Sequence, residues 1–283
     1  MKYRFTKMQS LGNDFVMLNG VVERIEMTPT IARHIADRHF GIGCDQILVA
    51  QPIAQPHSGK RINKSGYRLR IFNSDGSEVG QCGNGARCFA RYLHDQGLSD
   101  QATIEVETKT TALQLRLNQD DTVTVAMGSP EFAPQKIPLT VAGQLPSYHA
   151  TTEFGEVEFS ALSLGNPHGV IQVDSVENAD VQTIGPLLEN HQLFPERANI
   201  GFMQIVSRRE IKLRVHERGA GETLGCGSGA CAAVVSGIRS GLLDSRVEVA
   251  LPGGRARVDW LGAESQIYLT GPVHTVYQGS IEI

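Results

Sequence analysis

A five-residue motif occurs twice in this chain: Cys82-Gly83-Asn84-Gly85-Ala86 returns 144 positions later as Cys226-Gly227-Ser228-Gly229-Ala230. The repeat is wider than the motif. At the same offset Leu69-Arg70-Ile71 matches Leu213-Arg214-Val215 and Glu78 matches Glu222. Ser10-Leu11-Gly12-Asn13 returns as Ser163-Leu164-Gly165-Asn166 at a slightly longer offset, which a loop insertion explains. Self-similarity on this scale means that one supersecondary unit is used twice. The chain therefore reads as two copies of one αβ unit, with the seam near Met127 to Pro134. The expected domains are residues 1–127, to which 272–283 return, and residues 128–271.

Short alternating segments dominate: Tyr67 to Phe72, Thr103 to Thr108, Ala112 to Leu117, Thr122 to Met127, Gln204 to Ser207, Ile211 to His216, Arg246 to Leu251 and Gln266 to Thr270 read as strands. Helical runs over Gly85 to Gln96 and Gly229 to Ser240 break this rhythm. Each opens on a glycine-rich turn and is followed by a glycine, Gly97 or Gly241, suited to a helix C-terminus. Further helices are expected over Pro29 to His39 and Val181 to Asn190, and Pro52 to Gly66 reads as a long hairpin tip without chemistry of its own. The run Ala230-Cys231-Ala232-Ala233-Val234-Val235 has almost no polar face, so that helix must be surrounded by protein. The expected fold is α+β: two pseudo-symmetric domains, each a curved, mostly antiparallel, barrel-like β-sheet wrapped around a central helix.

Composition narrows the partners. With 41% hydrophobic and 20% charged residues among 283, the chain is too apolar for a disordered tail. A net charge of −4 gives no positive field for nucleic acid or an anionic membrane surface. No stretch approaches the roughly 18 uninterrupted apolar residues of a membrane span, and Met1 to Phe15 lacks the apolar core of a signal peptide. A cytoplasmic location is expected, in which the five cysteines (Cys44, Cys82, Cys88, Cys226 and Cys231) stay as thiols.

A glycine-rich turn feeding a helix exposes unpaired backbone N–H groups and the positive end of the helix dipole, a setting that binds anions and favours a thiolate. Cys82 and Cys226 sit at such turns. Either alone reads equally well as a structural thiol, but duplication points to one thiol on each side of a bound molecule. Opposed acid–base groups suit inversion at a carbon bearing a proton, one removing the proton from one face while the other protonates the opposite face. An amino-acid carboxylate held by both helix N-termini would be stabilised as carbanion charge spreads onto it. Arg218, in Glu217-Arg218-Gly219-Ala220-Gly221, is suited to pair a carboxylate. Asn13, Asn73, Asn166 and Asn199 would each pass for turn residues, yet they recur with the duplicated motifs. His168 is placed to tune or relay protons to a thiol. No zinc-site spacing, Walker loop or Gly-x-Ser-x-Gly occurs, and no lysine lies in the glycine turns, so neither metal nor pyridoxal phosphate is expected.

Gly12-Asn13-Asp14-Phe15, Gly41-Ile42-Gly43-Cys44-Asp45-Gln46, Asn73-Ser74-Asp75-Gly76-Ser77, Gln81-Cys82-Gly83-Asn84-Gly85-Ala86-Arg87, Gly165-Asn166-Pro167-His168, and Glu217 to Thr223 followed by Cys226 to Ala230 together resemble the diaminopimelate epimerases over nearly the whole chain. The resemblance implies a cytoplasmic homodimer that interconverts LL- and meso-2,6-diaminopimelate without cofactor or metal. It implies Cys82 and Cys226 as the acid–base pair, assisted by His168 and Glu217. It further implies that Asn13, Gln46, Asn73, Asn166, Asn199 and Arg218 hold the substrate, and that Gly83, Asn84, Gly227 and Ser228 offer N–H groups to the reacting carboxylate. Glu217 would also touch substrate. Racemisation of another amino acid such as proline is the alternative within this class, and a thiol redox or binding protein the alternative outside it.

Overall fold

A computed structural model describes residues 2–53, 66–80, 82–263 and 265–283. The expected hairpin tip over 52–66 lies, for its residues 54–65, outside the described residues. The chain forms two compact units, one of Met1–Val125 with Gly271–Ile283 and one of Ala126–Thr270.

The first unit begins with β1 (Lys2–Ser10) and β2 (Asn13–Asn19), followed by α1 (Pro29–Ala36), β3 (Gln46–Pro52), β4 (Tyr67–Asn73) and β5 (Glu78–Val79). Its long helix α2 (Gly83–Asp95) comes next, then β6 (Thr103–Glu107), β7 (Ala112–Leu117) and β8 (Val123–Ala126). The second unit has β9 (Tyr148–Thr152), β10 (Gly155–Ser163), β11 (Pro167–Gln172), α3 (Val181–Glu189), β12 (Asn199–Ser207), β13 (Glu210–Glu217) and β14 (Gly221–Thr223). It continues with α4 (Gly227–Arg239), β15 (Arg246–Leu251), β16 (Gly254–Asp259) and β17 (Tyr268–Gly271). The last strand, β18 (His274–Glu282), pairs antiparallel with β1.

The duplication extends to the pairing pattern. In the first unit β1–β2 is antiparallel, β2–β3 parallel, β3–β4 antiparallel and β4–β6 parallel. In the second, β10–β11 is antiparallel, β11–β12 parallel, β12–β13 antiparallel and β13–β15 parallel. Each parallel join needs a crossover, and α1 or α3 supplies the first while α2 or α4 supplies the second. Within its own unit α2 packs against β1, β2, β3, β4 and β7, and α4 against β10, β11, β12, β13 and β16. A helix contacted by five strands needs no polar face. Accordingly Ala230 to Val235 are all fully buried. Each of its two adjacent valines contributes about 1.5–3 kcal/mol by leaving water.

The crossover helices end differently from the sequence expectation. α1 stops at Ala36, not His39, because the chain folds back across the helix end: the N–H groups of Ile42 and Gly43 both reach the Ile35 carbonyl at 3.0 Å. α2 and α4 each start two residues earlier than expected, at Gly83 and Gly227.

Candidate active site

Both long helices are capped by cysteine. Cys82 and Cys226 are extended N-cap residues whose sulfur accepts the N–H three residues on, Gly85 at 3.3 Å and Gly229 at 3.4 Å. Serine, threonine, asparagine or aspartate usually takes this position, so a sulfur there spends the cap on a reactive group. Glycine at the third helical position lets each helix start lie tight against its sheet. A Cβ on Gly85 would stand 3.2 Å from Leu48, and one on Gly229 would stand 3.0 Å from Val215 and 3.2 Å from the Cys226 sulfur.

In the first unit the two-residue turn Leu11-Gly12, both with positive φ (56° and 79°), closes β1 onto β2 and delivers Asn13 opposite Ser10. The half-buried Cys82 thiol lies 3.9 Å from Asn13 Oδ1. Asn13 is itself held, its Nδ2 donating to Asp45 Oδ2 at 2.7 Å. Behind it stands a charge cluster: Arg38 donates to both Asp14 oxygens at 3.1 and 2.9 Å and to Asp45 at 2.8 Å, while the buried Lys7 donates to Asp14 and to the Gly43 carbonyl. Burial pushes the Asp14 carboxyl up, but its bonds to Arg38 and Lys7 outweigh burial and hold it well below the usual carboxylate range. Gln46 and Asn73 face each other across β3 and β4, with Gln46 Nε2 donating to Asn73 Oδ1 at 2.9 Å. Among the described residues the buried Gln46 Oε1 has no hydrogen-bond partner. Asn84 accepts from the fully buried Arg87 at 2.6 Å, and Arg87 also donates to Ser10 Oγ at 2.8 Å, which fixes the first turn of α2 against β1.

The second unit builds an equivalent constellation around Cys226. His168 Nε2 lies 3.1 Å from Asn166 Oδ1, Asn166 Nδ2 lies 3.4 Å from Ser228 Oγ, and Ser228 Oγ lies 3.7 Å from the Cys226 sulfur. Burial, with Arg218 nearby, pushes the His168 imidazolium down to about 3, so the ring is neutral at physiological pH. With Nε2 facing a carbonyl oxygen, it is the N–H that donates to Asn166. Asn199, opposite His168 in the parallel β11–β12 pair, donates to the Pro167 carbonyl at 3.1 Å and accepts from the Arg218 N–H at 3.1 Å. Glu217 accepts the Thr223 hydroxyl.

The two cysteines differ in burial, Cys82 being half-buried and Cys226 buried. The buried Cys226 thiol is pushed well above its ordinary range, first by burial and then by the Glu217 carboxylate beside it; the Gly229 N–H and the Ser228 hydroxyl pull weakly the other way. A helix N-terminus was expected to favour its thiolate. Loss of water and a neighbouring negative charge win instead, so the resting Cys226 carries its proton. Burial likewise pushes Cys44 up to about 12 and raises Cys88, leaving both as inert thiols.

Each unit therefore gathers its own share of the expected residues: Cys82, Asn13, Gln46, Asn73, Gly83 and Asn84 in the first, Cys226, His168, Asn166, Asn199, Glu217, Arg218, Gly227 and Ser228 in the second. The sequence reading missed Asp45, which anchors Asn13, and Thr223, which anchors Glu217, although both lie inside its motifs. Among the described residues no three His, Cys, Asp or Glu side chains gather to hold a metal ion, and no helix is long and apolar enough to cross a membrane.

The family model described as diaminopimelate epimerase matches residues 5–133 and 160–276. Diaminopimelate epimerase of Teredinibacter turnerae is 48% identical over 283 residues, covering 100% of both chains, and that of Ectopseudomonas mendocina is 46% identical with the same coverage. Among solved structures, a hydroxyproline epimerase from Agrobacterium vitis aligns with a TM-score of 0.69 at 14% identity, covering 99% of this chain and 92% of that one. A phenazine biosynthesis protein of the PhzF family from Enterococcus faecalis aligns with a TM-score of 0.65 at 12% identity, covering 100% of both. These last two share the fold.

Proposed function

The chain belongs to the diaminopimelate epimerase family, and from that membership we propose how its residues divide the work. It interconverts LL- and meso-2,6-diaminopimelate, a step on the path to lysine and the bacterial cell wall. One sulfur, as thiolate, takes the α-proton; the C–H electron pair stays on carbon and spreads into the carboxylate. The other sulfur, as thiol, protonates the opposite face, and the two exchange roles in reverse. Which sulfur takes the proton follows from which isomer is bound, because the two configurations present the α-hydrogen to opposite sides.

N–H groups of Gly83, Asn84, Gly227 and Ser228 at the two helix starts hold the reacting carboxylate, where the dipoles oppose the growing negative charge. Asn13, Gln46, Asn73, Asn166, Asn199 and Arg218 hold the remaining polar groups of the substrate. Glu217 controls the Cys226 proton, while His168, neutral, acts through Asn166 and Ser228. Acid–base help from thiols supplies roughly 10²–10⁴-fold, so most of the rate enhancement comes from positioning and the fixed dipoles. No pyridoxal phosphate or metal enters this reading. It includes a cytoplasmic homodimer, supported by the edge strand β18, which leaves Val276 and Tyr277 exposed at 56% and 46%.

The carrying observation is that cysteine caps both 13-residue helices at equivalent places in a duplicated unit, each sulfur accepting the third helical N–H. Cys82→Ala and Cys226→Ala should each abolish epimerisation while leaving the melting temperature within a few degrees. Robust activity in either variant would remove the two-thiol mechanism, and proline turnover beside an inert diaminopimelate would move the activity to a racemase.

A further inference from the structure

Glu189, the last residue of α3, is 5% exposed. A carboxylate at a helix C-terminus meets the negative end of the dipole, and burying it costs several kcal/mol unless it is well bonded. Here it is fully engaged. Oε1 accepts the Gly219 N–H at 2.8 Å, with Arg197 at 3.5 Å, and Oε2 faces His216 Nε2 at 2.8 Å. His216 and Gly219 flank the dipeptide Glu217-Arg218, so a single carboxylate grips both ends of the segment that carries two proposed functional side chains. The Asn199 carboxamide holds the Arg218 N–H at 3.1 Å. The His216 ring is wedged: a Cβ on Gly185 would stand 2.7 Å from His216 Cβ and Cγ, and among the described residues the buried Nδ1 of the ring has no partner. That leaves Nε2–H as the donor to Glu189.

The duplication provides an internal control. Asn13 to Gln46 and Asn166 to Asn199 span the same 33 positions, so Glu189 corresponds to Ala36. The burial pattern agrees, with Ala32, Ile35 and Ala36 buried in α1 where Gly185, Leu188 and Glu189 are buried in α3. By the 144-residue offset His216 corresponds to Phe72. Ala36 and Phe72 are both buried in one apolar cluster. In that copy the fold puts Ala36 and Phe72 at the buried junction and ties the turn instead through the exposed Arg33 of α1, which donates to the Asp75 carbonyl at 3.2 Å. It places a carboxylate and an imidazole at the junction only in the copy whose turn carries Glu217-Arg218 instead of Asn73-Ser74.

We propose that Glu189 is a positioning residue for epimerisation, which, with His216, sets the Glu217-Arg218 turn in its working conformation by accepting the Gly219 N–H. This rests on the proposed roles of Glu217 and Arg218. The test installs the first unit's own junction residues, the double variant Glu189→Ala/His216→Phe, and compares it with Glu189→Gln, whose carboxamide oxygen still accepts from Gly219. The double variant should melt cooperatively yet lose about tenfold or more in kcat/KM for LL-2,6-diaminopimelate, mostly through KM, as expected for a lost bond to a buried charge. Glu189→Gln should lie between it and the parent. In an Arg218→Ala background the double substitution should lose its KM component, since the side chain that holds substrate is gone, and keep only the smaller kcat component that acts through Glu217. Parental kinetics in the double variant, or the same loss with and without Arg218, would overturn the inference while Arg218→Ala alone stays impaired. Full activity in Arg218→Ala would instead overturn the role proposed for Arg218.

Discussion

Replacing Glu217 by glutamine keeps an acceptor for the Thr223 hydroxyl but removes the charge beside Cys226. That charge is the second cause, after burial, of the raised thiol pKa, so its removal must lower the pKa and enlarge the thiolate fraction at a fixed neutral pH. A carboxylate in contact with a titrating group typically changes its ionised fraction by about 10- to 1000-fold. Glu217 is only half-buried, which places the effect in the lower part of that range, about 10- to 100-fold. A less basic thiolate is also a poorer nucleophile, returning nearly half of the logarithmic gain. Alkylation of Cys226 by iodoacetamide, followed peptide by peptide by mass spectrometry, should therefore accelerate about 3- to 10-fold at pH 7. Its rate–pH profile should move to lower pH without a higher plateau. A merely opened site would raise the plateau, and Cys82 serves as the internal standard. An unchanged or slower Cys226 rate in Glu217→Gln would refute the electrostatic assignment.

Gly229→Ala would drive a methyl to 3.0 Å from Val215 and 3.2 Å from the Cys226 sulfur, so kcat should fall about 100-fold as the thiol is displaced, with a smaller loss in Tm. Asp14→Asn leaves the buried Lys7 without its carboxylate and should cost about 3 kcal/mol at neutral pH, read by urea unfolding. Because the folded-state pKa of Asp14 is depressed, its stabilisation is complete above the ordinary aspartate value of about 3.9 and fades as the pH falls below it. The parent and Asp14→Asn should accordingly converge in stability towards pH 2, whereas a constant gap would mean that the charge cluster is not the cause. Asn166→Ala breaks the path from His168 to Ser228 and should reduce kcat at least tenfold, whereas an unaltered kcat would show that path to be idle.

The duplicated motifs made the two cysteine-capped helices and most of the constellation around them legible, because glycine and cysteine at a helix start carry a backbone requirement that sequence displays directly. The strands at Tyr67, Thr103, Ala112, Ile211 and Arg246 were equally plain, since one face is buried and the side chains alternate. Those at β2, β3 and β11 did not announce themselves. Val16, Met17 and Leu18, or Ile47 to Ala50, are all fully buried, giving continuous apolar runs without the two-residue alternation of a strand that has one wet face. β18 is exposed along nearly all of its length and so has no apolar alternation either. Asp45 and Glu189 were illegible as partners because hydrogen bonds to Asn13 and Gly219 span 32 and 30 positions of sequence. Likewise the raised pKa of Cys226 depends on burial, which the local motif shared with Cys82 does not encode.

The proposed two-thiol mechanism makes a distinct isotopic forecast, because the proton taken from one face is not the proton returned to the other. Epimerisation of LL-2,6-diaminopimelate in deuterium oxide, stopped after a few per cent conversion, should give meso product bearing deuterium at the inverted carbon while the remaining LL substrate is still unlabelled. Product that keeps the substrate's own hydrogen, or deuterium appearing equally in both pools from the start, would mean that a single base serves both faces and would contradict the account.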